Sequence, residues 1–198
     1  MVPEPGERWG ILGGSFDPVH LGHTNLAGQV KEHAKLNGVL FVPSYNHPFK
    51  PTPAASFDER VEMLQLAIEP HDSFVVSDIE RARNLSGFTL DMVQMVKKQF
   101  EDVSFYFIIG EDNVRDLIRW HRPEELVAEI PFLVGNRPPH EALSLPEELP
   151  ADRIVMIPIE MIDISSTEIR KRIKMGESVA DLVTPEVYDY IVGKGLYR

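Results

Sequence analysis

The chain has 198 residues, 43% of them hydrophobic and 26% charged, a composition that excludes whole-chain disorder. Its formal net charge of −11 disfavours nucleic acid as a partner, because long-range attraction to a polyanion needs a positive surface. The absence of cysteine excludes disulfides, zinc–thiolate sites and a cysteine nucleophile.

The same bulk properties set expectations for location and domain organisation. No apolar run approaches the ~20 residues of a membrane span, and the first residues do not have the pattern of a secretory signal. We therefore expect a cytoplasmic protein without a membrane partner. The length suits one compact α/β domain, 1–198, with 159–198 as a C-terminal helical subdomain. A homo-oligomer is compatible with the sequence.

Apolar runs alternate with helical spacing along the chain. Strands are predicted at 9–14, 38–43, 73–77, 103–109, 131–135 and 153–157. Helices are predicted at about 21–36, around 61–68, at 89–100, after residue 110, from about 166 and from about 185. Segments 44–56 and 138–152 are predicted loops. The alternation predicts a doubly wound parallel sheet, which binds ligands at the carboxyl ends of its strands.

The first motif covers residues 13–23, between the first strand and the first helix. Its glycines allow a tight turn, and the helix start offers N–H groups and a positive dipole end for phosphate. His20 and His23 share one helix face, where two imidazoles can hold phosphate oxygens, and Gly22 between them leaves room for a flat base. The segment has neither the Walker A ending nor the G-x-G-x-x-G spacing.

The paired histidines have other interpretations. In isolation they are two surface side chains beside a glycine turn. They could also bind a metal, but no third ligand of suitable spacing accompanies them, so no protein metal site is predicted. The position between a buried strand and a helix favours the phosphate interpretation.

The second motif covers residues 164–172. Ser165 and Glu168 have the spacing of a capping box, which alone would explain them. The hydroxyls and N–H groups at this helix start could also hold the outer phosphates of ATP together with Arg170. Residues 165–175 contain four basic residues and one acid, a local reversal of the chain's negative charge.

With both motifs the chain resembles the HxGH nucleotidyltransferases, and more narrowly the bacterial nicotinate mononucleotide adenylyltransferases. The resemblance extends over nearly the whole chain and includes the segments 108–112, 120–122, 182–191 and 195–197. It implies a Rossmann-like fold and the transfer of the AMP part of ATP to nicotinate or nicotinamide mononucleotide, with Mg²⁺ as cofactor.

The resemblance also implies roles for individual residues. It makes His20, His23 and Arg170 the catalytic residues. The implied ATP-binding residues are Gly13, Gly14, Ser15, Phe16, His20, Gly22, His23, Ser165, Ser166, Thr167 and Arg170. The implied mononucleotide-binding residues are Lys50, Thr89, Asp112 and Trp120, with Trp120 stacked on the pyridine ring. Trp120 could instead pack against the following helix, Lys50 could be a solvated loop residue, and Arg137 is a weaker candidate for the ATP side.

Two segments depart from the family pattern. Residues 47–50 read His-Pro-Phe-Lys where relatives have Pro-Pro-His-Lys, and 87–89 read Gly-Phe-Thr where they often have Ser-Tyr-Thr. Both fall on the implied mononucleotide side, so the choice between acid and amide substrate stays open.

Other functions fit the same motifs. The alternatives are another HxGH transferase, such as a phosphopantetheine adenylyltransferase or a cytidylyltransferase, and a non-catalytic nucleotide sensor on the same fold. A fragment of an aminoacyl-tRNA synthetase is disfavoured by the acidic chain.

Overall fold

A computed structural model describes residues 2–46, 52–136, 149–160 and 162–198. Its strands are β1 (Arg8–Gly14), β2 (Gly38–Pro43), β3 (Phe74–Val76), β4 (Ser104–Gly110), β5 (Phe132–Asn136) and β6 (Ile154–Pro158). Its helices are α1 (Leu21–Ala34), α2 (Phe57–Ile68), α3 (Ile79–Ala82), α4 (Thr89–Gln99), α5 (Pro123–Glu129), α6 (Ser166–Lys174) and α7 (Pro185–Lys194). All six predicted strands are present.

The strands form one parallel sheet in the order β3-β2-β1-β4-β5-β6. The predicted doubly wound parallel sheet is confirmed. In β2, Val39 and Phe41 face one core cluster while Leu40 and Val42 face the other, as alternation along a strand requires. A sheet buried on both faces explains why its strands are continuous apolar runs.

Helices cover both faces of the sheet. Buried side chains of α1, α2, α6 and α7 share one cluster, and those of α3, α4 and α5 share the other. The segment predicted as a C-terminal subdomain therefore contributes Ile169 and Val187 to the same cluster as α1 and α2. Its separation as a subdomain stays a prediction.

Local signals fix several helix ends. Ser56 and Glu59 form a reciprocal capping box at the start of α2, and Thr184 caps α7 just before Pro185. Helix α1 ends at Ala34, short of the predicted 36, because Lys35 adopts a left-handed backbone with φ of 52°. The four-residue α3 was not predicted. In the described part of the chain, no helix is both long enough and apolar enough to cross a membrane.

Candidate active site

The candidate site lies at the carboxyl edge of the sheet, meaning the edge where the parallel strands end. The crossovers wind outward in opposite directions from β1 and β4, and a crevice for ligands opens at such a switch point. β1 ends at Gly14 and leads into the first motif, and β4 ends at Gly110 just before Asp112. The fold thus brings the first motif and the segment after residue 110 to one edge.

The rings of His20 and His23 lie in close contact, tilted to each other, at the start of α1. Their ring centroids are 3.7 Å apart, with 31° between the planes. The backbone N–H of His20 donates to Nδ1 of His23 at 3.2 Å, and Phe16 contacts the His23 ring edge-on at 5.0 Å. Nδ1 of His20, whose residue is 8% exposed, has no hydrogen-bond partner among the described residues. The pair therefore has fixed geometry and an unused buried polar atom.

Both imidazoles are neutral at pH 7. Burial lowers the pKa of His20 to about 4. The pKa of His23 lies well below its ordinary value, because of burial and then of repulsion by His20. Nδ1 of His20 has no hydrogen-bond partner among the described residues, so His20 can take up a proton there when the negative charge of a bound triphosphate raises its pKa.

Gly22 packs closely against the His20 ring. A Cβ built at position 22 would lie 3.0 Å from Nδ1 and 3.2 Å from Cε1 of His20. The space beside Gly22, which the sequence suggested for a flat base, is bordered by the imidazole itself.

The start of α6 is attached to the loop after β1. The Ser165 hydroxyl caps the helix by accepting the N–H of Glu168 at 3.2 Å, without the reciprocal half of a capping box. Ser166 Oγ donates to the Pro18 carbonyl at 2.8 Å. Arg170 Nη1 donates to the Asp17 carbonyl at 2.7 Å, and its Nη2 donates to Thr167 at 3.4 Å. Ser166 and Arg170 of the second motif therefore contact the first motif directly.

Two buried charged residues of this network were not predicted as site residues. Asp17 accepts the N–H groups of Ala54 and Ala55, at 2.8 and 3.0 Å. Arg60, 2% exposed, donates to the carbonyls of Ser15 at 2.7 Å and Ser44 at 2.9 Å, and so joins the loops after β1 and β2. Burial lowers the pKa of Arg60, and the charge of Asp17 opposes this.

A sequence signal for Arg60 exists. It lies three residues after Phe57 and four before Leu64, both buried, so a cation interrupts the apolar face of α2. A charge at such a position needs a specific partner.

The residues expected on the mononucleotide side lie after β4 and at the start of α4. Trp120 is partly buried and packs edge-on against Phe107 and Phe132, with centroids 6.0 and 6.4 Å apart. Asp112 is exposed, and Thr89 is the partly buried first residue of α4.

A ring contact that the sequence did not suggest joins these two segments. Phe88 and His121 stack with centroids 4.0 Å apart and 18° between the planes. The neighbours of Thr89 and Trp120 are therefore in contact.

Two predicted residues, Lys50 and Arg137, lie outside the described residues. Within the described ranges, no group of three or more histidine, aspartate or glutamate side chains could hold a metal ion.

Comparison with known proteins gives a consistent result. A relative from Caldicellulosiruptor saccharolyticus named probable nicotinate-nucleotide adenylyltransferase is 37% identical, covering 95% of this chain and 97% of the relative. A relative of the same name from Listeria monocytogenes serotype 4a is 40% identical, over 95% of this chain and 96% of the relative. Plasmodium falciparum nicotinic acid mononucleotide adenylyltransferase, complexed with NaAD, shares the fold, with a TM-score of 0.78, 23% identity and coverage of 96% and 97%. The profile of the cytidylyltransferase-like family matches residues 11–172, and this chain belongs to that family together with its nicotinate-nucleotide adenylyltransferase relatives.

Proposed function

We propose that the protein transfers the adenylyl group of ATP to nicotinate mononucleotide, giving the dinucleotide and pyrophosphate in NAD biosynthesis. The observation that carries the proposal is the pair of neutral histidines in ring contact at the start of α1, with Arg170 held at the adjacent Asp17 carbonyl. The names of relatives that match the chain over nearly its full length support the same acceptor. The reaction is assigned to the cytoplasm, where ATP is available.

The proposed reaction is a direct displacement. A phosphate oxygen of the mononucleotide attacks the α-phosphorus of ATP, and the bond to the oxygen that bridges to the β-phosphate breaks. Pyrophosphate leaves with the electron pair. The attacking phosphate is already ionised, so no general base is needed, and catalysis depends on positioning and charge neutralisation.

His20 and His23 have the role of charge stabilisers in this mechanism. Because Nδ1 of His23 accepts a hydrogen bond, the proton of the neutral ring is on Nε2, which remains available as a donor. Nδ1 of His20 is a buried atom without a hydrogen-bond partner among the described residues. Arg170, with Ser165, Ser166 and Thr167 at the start of α6, would hold the outer phosphates.

Mg²⁺ is proposed to arrive with ATP as part of the substrate. The described residues provide no cluster of ligands for a resident ion, whereas the phosphates of ATP provide oxygen ligands that Mg²⁺ prefers. The ion would draw charge from the leaving pyrophosphate.

The mononucleotide is proposed to bind beside Trp120, Thr89 and Asp112, with Trp120 stacked on the pyridine ring. Its edge-on packing on Phe107 and Phe132 fixes the indole plane. Lys50 is proposed to contact phosphate.

Pyrophosphate release with ATP and Mg²⁺ tests the proposal. We expect turnover with nicotinate mononucleotide and a higher kcat/KM than with nicotinamide mononucleotide. CTP in place of ATP, and phosphopantetheine as acceptor, are matched controls. Binding of ATP without pyrophosphate release in the presence of either mononucleotide would overturn the proposal and favour a sensor.

A further inference from the structure

The end of the chain returns to the first motif. Helix α7 stops at Gly195, and Tyr197, the penultimate residue, is 8% exposed within the same cluster as α1 and α2. Its hydroxyl donates to Oδ1 of Asp17 at 2.9 Å across 180 positions of sequence. The family segment at 195–197 thus contacts a residue of the phosphate-binding loop.

The backbone of Tyr197 adopts an uncommon conformation. Its φ is 65°, in the left-handed region that aromatic residues rarely occupy. The strain persists because burial of the ring and the bond to Asp17 offset its cost.

Asp17 is the junction of three segments. Its carboxylate accepts the N–H groups of Ala54 and Ala55 as well as the Tyr197 hydroxyl. Nη1 of Arg170 lies 3.8 Å from Oδ2 of Asp17, too far for a hydrogen bond, while it donates to the Asp17 carbonyl. The carboxylate therefore holds the loop without pairing closely with Arg170.

Neutral donors already satisfy the hydrogen-bonding needs of the Asp17 carboxylate, and this explains its distance from Arg170. A buried carboxylate needs hydrogen bonds or a cation. Two N–H groups and the phenol supply the hydrogen bonds, so Arg170 retains donors for another anion. The pKa of the Tyr197 hydroxyl is raised, by burial and then by the charge of Asp17, so it remains a protonated donor at neutral pH.

We propose that Tyr197 is a positioning residue for ATP: its hydroxyl satisfies the Asp17 carboxylate, and this keeps the Arg170 guanidinium available to the phosphates. The inference rests on the proposed function of Arg170. Without the hydroxyl, Oδ1 of Asp17 keeps a single N–H donor, and Arg170 closes the gap to the carboxylate.

The test compares Tyr197→Phe with a matched control, Tyr190→Phe. Tyr190 also donates to a carboxylate, that of Glu62, and joins α7 to α2, but on the exposed surface away from Asp17. We expect Tyr197→Phe to raise KM for ATP about tenfold, as for loss of one charged hydrogen bond, with a change of less than about twofold in KM for the mononucleotide. Tyr190→Phe should leave both KM values unchanged.

Calorimetric binding of a nonhydrolysable ATP analogue separates this inference from the proposed function. Measurements are made at a temperature where circular dichroism shows all three proteins folded. Failure of the wild type to bind overturns both proposals. Wild-type binding with equal affinity in Tyr197→Phe, or the same loss in Tyr190→Phe, overturns only the role of Tyr197.

Discussion

The backbone N–H of His20 donates to Nδ1 of His23, and this one bond fixes both the orientation and the tautomer of the second imidazole. The bond exists because His20 is the last non-helical residue before α1, while His23 lies one turn inside it. A helix start thus replaces the carboxylate or carbonyl that usually orients a functional histidine.

Replacement of His23 tests this arrangement. We expect His23→Ala to reduce transition-state stabilisation by about 2–4 kcal/mol, as for removal of a preorganised donor. The measurement is kcat for pyrophosphate release. His33→Ala, exposed on the same helix, is the control and should keep wild-type turnover. Wild-type turnover in His23→Ala would contradict the assigned role.

A neutral His20 in the free protein predicts proton uptake when ATP binds. The triphosphate favours the charged form of His20 and raises its pKa, so the complex binds more protons than the free protein. Affinity for ATP should therefore fall as pH rises. Calorimetry in phosphate and Tris buffers would detect the uptake as a buffer-dependent binding enthalpy. Equal enthalpies in both buffers would argue against it.

Burial of His20 also makes folding pH-dependent. The pKa is 6.5 in the reference state and about 4 in the folded protein, so between these values only the unfolded chain gains the proton. The free energy of unfolding should fall on acidification through this window, by up to about 1.4 kcal/mol per pH unit from this residue. The unfolding free energy, measured by urea unfolding at several pH values, should change less steeply with pH in His20→Asn than in wild type. His33→Asn should match the wild type. An identical pH dependence of the unfolding free energy in wild type and His20→Asn would contradict the contribution assigned to His20.

Pattern and turn chemistry predicted the sheet because its six strands are continuous apolar runs between glycine- and proline-containing segments. The two motifs predicted the phosphate side for the same reason, since strand ends and helix starts are local features. The sequence did not identify Asp17 and Arg60 as site residues. Asp17 reaches its partner Ala54, and Arg60 its partner Ser44, only when the loops after β1 and β2 meet in the folded chain. The contact between Tyr197 and Asp17 spans the chain and leaves no periodic signal.

Replacement of Trp120 tests whether its indole stacks on the pyridine ring or only packs against the protein. We expect Trp120→Ala to raise KM for the mononucleotide more than KM for ATP. It should also lower stability, because the indole packs on Phe107 and Phe132. Trp120→Phe keeps an aromatic face and should give a smaller rise in KM. Equal changes in both KM values would count against stacking on the pyridine ring.

Two glycines of α1 provide a matched pair for testing the position of His20. A Cβ at Gly22 would lie 3.0 Å from Nδ1 of His20, whereas a Cβ at Gly28 would meet nothing within 4 Å. Both substitutions to alanine favour the helix backbone by up to about 1 kcal/mol. Gly28→Ala should therefore raise the unfolding free energy and leave kcat unchanged. Gly22→Ala should lower kcat, because the His20 imidazole would have to shift by a few tenths of an ångström away from the new methyl group and from its contact with His23. Wild-type kcat in a folded Gly22→Ala protein would show that the position of the His20 ring does not limit the reaction.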